Sequence, residues 1–382
     1  MKLTLTTETL TDALRLVGRR IPARPTAPTA AGLQLTADGQ QLTLTASGDP
    51  TTIGVRTVVP ASVHLAGTAV LPGRMLTAIA RTLPAKAPLD ITVDTGIANF
   101  TFGASSIAVP LLDGDYPAMP DLPMTVGTVS GREFAAAVNQ VAVTVGTDDT
   151  LPMLTGIRVE LAGHELRLSS TDRHRASFRS IPVERTARRA PSQLCIVPGK
   201  ALRATATDLR HAETVTFGLP AAEGQRFSVS TPGMTVAHTP LEATHYPDLS
   251  KVTPKSFATT AVLDRMALVE VVRRAVAVAG DYVPVCLTIQ PGAPVVVAGG
   301  SRYEARTRDE LDARSVKGEP IRLALSATYL LGGLRALKSR TVQLSLTRPD
   351  RPALLHTPGS DRGALRYLLM PVRQYSDAPT PN

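Results

Sequence analysis

Asp172 and His174 come closest, among the titratable residues of this 382-residue chain, to an acid–base pair. Two residues apart on a strand they would share a face, as a general acid and base must. An isolated pair of this kind is an ordinary local hydrogen bond far more often than a catalytic dyad. The motifs that would carry other chemistry are absent: no GxGxxG after a strand, no GxxxxGK[ST], no HExxH and no GxSxG. The seven histidines are scattered without ligand spacing. Cys195 and Cys286, the only cysteines, are too far apart in sequence to read as a CxxC site or a disulfide framework. No metal, no cofactor and no enzymatic activity are expected. With 4% aromatic residues and no tryptophan, the chain also lacks the platforms on which single-stranded bases stack.

Binding chemistry is better represented. Lys and Arg outnumber Asp and Glu by 41 to 32, a balance that attracts polyanions such as nucleic acid. The cations fall in register with helical periodicity. In the segment after Pro198, Leu202, Ala206 and Leu209 form an apolar stripe, while Lys200, Arg203 and Arg210 share the opposite side with Thr207. After Pro72, Leu76, Ile79 and Leu83 face inward, against Arg74, Thr77 and Arg81. A third segment sets Leu330, Leu334 and Leu337 against Arg335 and Lys338. Three further helical segments add Arg15 and Arg19, Arg132, and Arg265 with Arg273 and Arg274. Any one of these is an ordinary solvated face. Their recurrence predicts a surface that follows phosphates without reading bases.

The elements that carry these stripes repeat. Val70-Leu71-Pro72-Gly73-Arg74-Met75-Leu76 returns as Ile196-Val197-Pro198-Gly199-Lys200-Ala201-Leu202 and as Ala324-Leu325-Ser326-Ala327-Thr328-Tyr329-Leu330. The spacing is 126 residues from 72 to 198 and 128 from 198 to 326. Asp115-Tyr116-Pro117 comes back as His245-Tyr246-Pro247, and an alternating strand ending in small polar residues appears near 42–49, 166–172 and 295–301. A period near 128 residues is a whole domain, not a solenoid unit. Three domains are expected, 1–125, 126–253 and 254–382, with boundaries in the Pro-containing segments Met119 to Met124 and Asp248 to Lys255. Within each copy, alternation over short runs and turns such as Asp38-Gly39 predict antiparallel sheet, and two helical stretches, Thr7 to Arg20 and Pro72 to Leu83 in copy one, lie on it. The fold class is α+β.

Hydrophobic residues at 43% and charged residues at 19% suffice for ordinary cores. Met1 to Leu10 lacks an apolar signal core and no stretch approaches a membrane span, so a reducing, cytoplasmic setting is expected.

Three tandem α+β domains, Thr171-Asp172-Arg173-His174-Arg175 in the second copy, and the ending Tyr367-Leu368-Leu369-Met370-Pro371-Val372-Arg373 together resemble the bacterial sliding clamp, the beta subunit of DNA polymerase III. The likeness spans almost the whole chain. It implies a head-to-tail homodimer whose six domains close a ring lined by twelve helices, with double-stranded DNA in the hole. By position, Arg24 looks like a DNA-contacting arginine, joining Lys200 and the basic helix residues. Polymerase subunits, the clamp loader and other partners would insert a short apolar peptide into a pocket. The resemblance puts Leu154, Thr171, Arg173, His174, Arg175 and Ala176 there, with Pro247, Lys251, Val252, Tyr282, Ser326 and Tyr329. The terminal run Leu368, Leu369, Met370, Pro371, Val372 and Arg373 completes it. Ile107 and Val109 match one edge of the dimer contact, and Val276 and Ala277 the patch that it meets.

Some residues depart from the family's pattern. Arg173 stands where glycine is common and Ala176 where a larger apolar residue is usual. Pro152 and Met153 replace aromatic residues, and a Pro-rich tail, Tyr375 to Asn382, extends the chain. Added bulk and charge at a pocket rim can exclude one ligand and tolerate another, so a variant clamp that resists a pocket-binding antibiotic is expected. The alternatives are a monomeric three-domain binder of an acidic polymer and an enzyme on a repeated scaffold.

Overall fold

The computed structural model describes the chain except for residues 22–27, 48–51, 118, 120, 187–192, 223, 244–245, 281–283, 301–304, 361–362 and 373–382, and the side chains of residues 28, 52, 53 and 279. Arg24, Tyr282, Arg373, His245 and the Pro-rich tail therefore lie outside the described residues. The chain folds into two compact units, residues 1–132 with 183–240, and residues 133–182 with 241–382. Each combines segments from two of the sequence copies.

In the first unit, α1 (Thr7–Val17) starts where the hydroxyl of Thr6 accepts the Thr9 amide, and it buries Leu10, Ala13, Leu14 and Val17 at helical spacing. α2 (Gly73–Ala80) and α4 (Gly199–Leu209) begin after the repeated prolines. Pro72 and Pro198 sit one position outside the predicted start, as extended N-caps with ψ of 104° and 119°. A residue without an N–H leaves no donor unpaired there.

Two antiparallel sheets support these helices. One runs Ser62–Leu65, Lys2–Thr6, Pro88–Asp94, Ile97–Phe102, Ser105–Pro110. The other joins copy two to copy one, because Met234–His238 pairs with Thr52–Pro60 in a register that sets Val236 opposite Val55. The predicted turn at Asp38-Gly39 links Gly32–Asp38 to Gln41–Ala46, with Gly39 at φ 58°. Alternation buries Leu33, Leu35, Leu42 and Leu44.

The second unit contains most of α3 (Gly131–Val141), α5 (Arg265–Ala279) and α6 (Ala327–Ala336). Asp264 caps α5 through its carboxylate, and Ser326, which replaces the proline of the other copies, caps α6 with its hydroxyl. An antiparallel run, Gly156–Ala162, Glu165–Thr171, Arg175–Pro182, Arg366–Leu369, Ala353–His356, Thr341–Leu346, joins copy two to copy three. Its seam sets Ala176 opposite Leu368. A four-stranded sheet ends at Arg306–Leu311.

Candidate functional site

The basic stripes of the first unit survive folding in part. Leu76, Leu202, Ala206 and Leu209 are buried, while Arg74, Arg81, Lys200, Arg203 and Arg210 are exposed. Between α1 and α2 a cleft of about 480 Å3 is lined by Arg15, Arg19 and Arg81 together with Thr11, Gly18 and Thr77. In the second unit, Leu330, Leu334 and Leu337 are buried and Arg335 and Lys338 exposed.

Several arginines of the first helices have other roles. Asp208 on α4, a carboxylate that the stripe argument passed over, accepts from Arg19 and Arg20 at 2.9 Å each. With side chains 7% and 4% exposed, Arg20 and Asp208 form a buried pair, and Thr205 adds a contact of 3.2 Å to Arg20. Arg15 pairs with Asp12 at 3.0 Å and Arg274 with Asp309 at 2.7 Å. Arg265 points along the protein to donate to the carbonyls of Ser339 (2.6 Å) and Leu334 (3.2 Å), where it closes the C-terminal end of α6. Arg132 and Arg273 of the first helices remain exposed, so both sets of helices contribute cations.

A second feature is an apolar pocket of about 220 Å3 in the second unit. Ala176, Pro247, Leu249, Val252, Leu368 and Met370 supply its walls, and Pro352, Thr171, Arg173 and Arg175 complete it. The loop of the DRHR segment shapes the rim. It turns between two strands instead of lying on one, so Asp172 and His174 do not pair through their side chains. One Asp172 oxygen accepts the amides of His174 and Arg175, and the other accepts from Arg175 Nε at 2.8 Å. Arg173 holds φ at 76°, a left-handed conformation, with its amide on the Thr171 hydroxyl. The Arg175 guanidinium lies 4.2 Å from the centre of the Tyr329 ring. Burial would depress its pKa, but the neighbouring Tyr367 hydroxyl and Asp172 carboxylate outweigh this and keep it charged. Burial raises the Tyr367 phenol to about 12.

Eight of the residues expected in the pocket line it: Thr171, Arg173, Arg175, Ala176, Pro247, Val252, Leu368 and Met370. Others stand apart. Leu369 is fully buried in the core on the opposite face of its strand, because successive side chains alternate and Leu368 already faces the pocket. Leu154 is buried in a 3-10 turn, Ser326 is occupied as the cap of α6, and His174 stacks on Tyr329 at 6.1 Å outside the lining. Pro371 bridges to Leu325, and Val372 donates its amide to Ala324. Lys251 lines an adjoining cleft. Leu249 and Pro352 were missed. Leu249 was legible as the apolar residue behind the Tyr246-Pro247 mark, whereas nothing in the sequence separates Pro352 from the other loop prolines.

Ser105–Pro110 is a terminal strand of its sheet. Val109 is fully buried and Ile107 half-buried, while Ser105, Ser106, Ala108 and Pro110 are exposed. Of the two residues expected at the dimer contact, Ile107 keeps a partly exposed side chain and Val109 does not. Val276 packs partly into the core and Ala277 is exposed.

Three family models, for the N-terminal, central and C-terminal domains of the DNA polymerase III beta subunit, match residues 1–120, 128–248 and 250–373 in that order. The chain is also 36% identical over 379 residues to the beta sliding clamp of Streptomyces coelicolor, covering 98% of this chain and 99% of the relative. The chain belongs to the DNA polymerase III beta subunit family of sliding clamps. This clamp is 33% identical over the same length, with the same coverage, to the beta sliding clamp homolog GriR of Streptomyces muensis. Its fold matches the Bacillus subtilis clamp with a TM-score of 0.89 at 22% identity, covering 98% and 100% of the two chains. A Pseudomonas aeruginosa clamp bound to griselimycin gives 0.89 at 23%, with the same coverage. The three tandem α+β domains are those of a clamp, and the reading as a monomeric binder of an acidic polymer finds no support in these likenesses. Among the described residues no helix is long and apolar enough to cross a membrane.

Proposed function

We propose that two copies of this clamp close head to tail into a ring around duplex DNA, with domains at 1–125, 126–253 and 254–382, and that the ring holds polymerase subunits and the clamp loader through short apolar peptides. The observation that carries the reading is the row of exposed cations on second helices whose leucines are buried: Arg74 and Arg81 on and just after α2, and Lys200, Arg203 and Arg210 on and just after α4. Such a row attracts phosphates by counterion release and leaves the duplex free to slide. Arg24 joins it by its place in the sequence. The terminal strand Ser105–Pro110 offers an unpaired backbone edge to a second copy, near Val276 and Ala277 of that copy, and pairing removes the edge.

The pocket suits an apolar anchor with a polar rim. Ten residues form the seat itself, with Lys251 in the adjoining cleft and Tyr329 held against Arg175 and His174 beside it; Tyr282 and Arg373 belong to the reading by their place in the sequence alone. Arg173 and Ala176 alter that seat, so a pocket-directed antibiotic that fits an ordinary clamp binds more weakly here while partner peptides are retained.

Retention on circular against linearised DNA after loading tests the ring. The clamp should stay on the circle and slide off the cut end, and elute near twice 40.3 kDa. Equal loss from both DNA forms rejects it. Titrating one inhibitor against this protein and an ordinary clamp tests the altered seat, and equal affinities reject that.

A further inference from the structure

The apolar pocket opens onto a second cleft of about 400 Å3 that shares Val252, Pro352 and Met370 with it. Two segments distant in sequence build this cleft. One is the stretch Lys251 to Ser256 that follows the pocket residue Leu249, and the other is the hairpin loop Thr347 to Pro352 between the strands Thr341–Leu346 and Ala353–His356. The lining holds four cations, Lys251, Lys255, Arg348 and Arg351, against one carboxylate, Asp350. Arg348 already binds that carboxylate at 2.9 Å, and Lys251 reaches only the exposed Asp248, at 3.8 Å. Arg351 lies within electrostatic reach of the same Asp350, and Lys255 and Arg351 are both exposed. With four cations to one carboxylate in its lining, the cleft carries a net positive charge directly beside an apolar seat.

Resting on the pocket reading above, we infer that this cleft is a second subsite for partner peptides, and that it selects those carrying acidic residues next to the apolar anchor. Charge complementarity supplies the argument. A segment whose leucine or phenylalanine fills the pocket must pass Val252, Pro352 or Met370 when its chain continues this way, and carboxylates there meet Lys255 and Arg351. A nucleic acid would satisfy the cations but leave the shared apolar wall unfilled, which favours a peptide. Each exposed pair contributes little alone. Three acidic residues in reach of four cations are expected to tighten binding by about tenfold at low salt, the equivalent of about 1.4 kcal/mol.

The test uses the full chain and fluorescent peptides bearing two leucines and a phenylalanine. The anchor is flanked on its N-terminal or C-terminal side by three glutamates, or by three glutamines as control. One glutamate peptide should bind about tenfold more tightly than its glutamine control at about 50 mM salt. The advantage should fall below about twofold in the Lys255→Gln, Arg351→Gln double variant, whose affinity for the glutamine peptide is unchanged. Glutamate and glutamine peptides of equal affinity overturn the inference, and so does an advantage that persists in the double variant or displacement of the glutamate peptide by duplex DNA. Binding of the glutamine peptide keeps the pocket reading in all of those cases, whereas a clamp that binds no peptide at all rejects both.

Discussion

Arg173 occupies a backbone conformation, φ 76°, in which its Cβ crowds the following carbonyl and which costs about 1–2 kcal/mol for a residue other than glycine. The Asx turn of Asp172 and the Thr171 hydroxyl hold the loop in that shape regardless. Arg173→Gly is therefore expected to raise stability by about 1 kcal/mol in urea unfolding, part of the relief being offset by the entropy of glycine. A lower stability would show that the guanidinium contributes more than the backbone strain removes. His356 makes a different prediction. Its ring lies 3.2 Å from the Ser345 hydroxyl and 3.1 Å from the Thr357 carbonyl, and burial, reinforced by Arg366, lowers its pKa below the usual 6.5. A depressed histidine binds fewer protons folded than unfolded, so its contribution is complete above about pH 6.5 and is lost as pH falls through the folded value. His356→Gln should flatten the stability curve on the acid side of pH 6.5, as followed by urea midpoints across the range.

At the scale of elements, α4 is tied to the end of α1 by the buried Arg20–Asp208 pair. Removing one partner strands a buried charge, so Asp208→Ala is expected to destabilise the protein by about 3–5 kcal/mol, measured as a lower urea midpoint. The glycines of α6 provide a paired test. A Cβ at Gly333 would meet the Tyr367 ring at 2.6 Å, whereas at Gly332 it would meet the far end of the Arg175 side chain at 3.0 Å and the Tyr367 hydroxyl at 3.7 Å. Alanine gains about 1 kcal/mol over glycine inside a helix. Gly332→Ala should therefore be neutral or stabilising, and Gly333→Ala destabilising by about 1–3 kcal/mol, since the buried ring has nowhere to move. Thermal melts of the two variants would reverse in order if the helix packed differently.

The whole molecule combines a threefold sequence repeat with sheets that run from one copy into the next. If the exposed cations of the second helices meet DNA as proposed, affinity should fall steeply with salt. Lys200→Gln with Arg203→Gln should reduce the slope of log K against log salt by about 2, since each phosphate left without its cation removes about 0.9. An unchanged slope would place those side chains away from the duplex. Much of this scale was legible in advance: the repeat, the α+β class, and the leucine and lysine faces of the second helices all follow from period and spacing within single segments. The walls of the pocket were legible mainly where the resemblance marked them, with Leu249 readable beside the Tyr246-Pro247 mark, and Arg15, Arg19 and Arg265, counted in the basic stripes, are engaged by partners that spacing does not reveal.

Periodicity is a local property of the chain, and it determined what local geometry decides: where the helices lie, which of their faces are apolar, and that three similar domains follow one another. Tertiary structure alone decided the partners. Asp208 reaches Arg19 across 189 residues, and Pro352 closes a pocket begun by Thr171. Leu369 turns to the core because its neighbour Leu368 faces Ala176 on the adjacent strand. Such choices depend on which distant segment packs alongside, and no spacing within one segment encodes that.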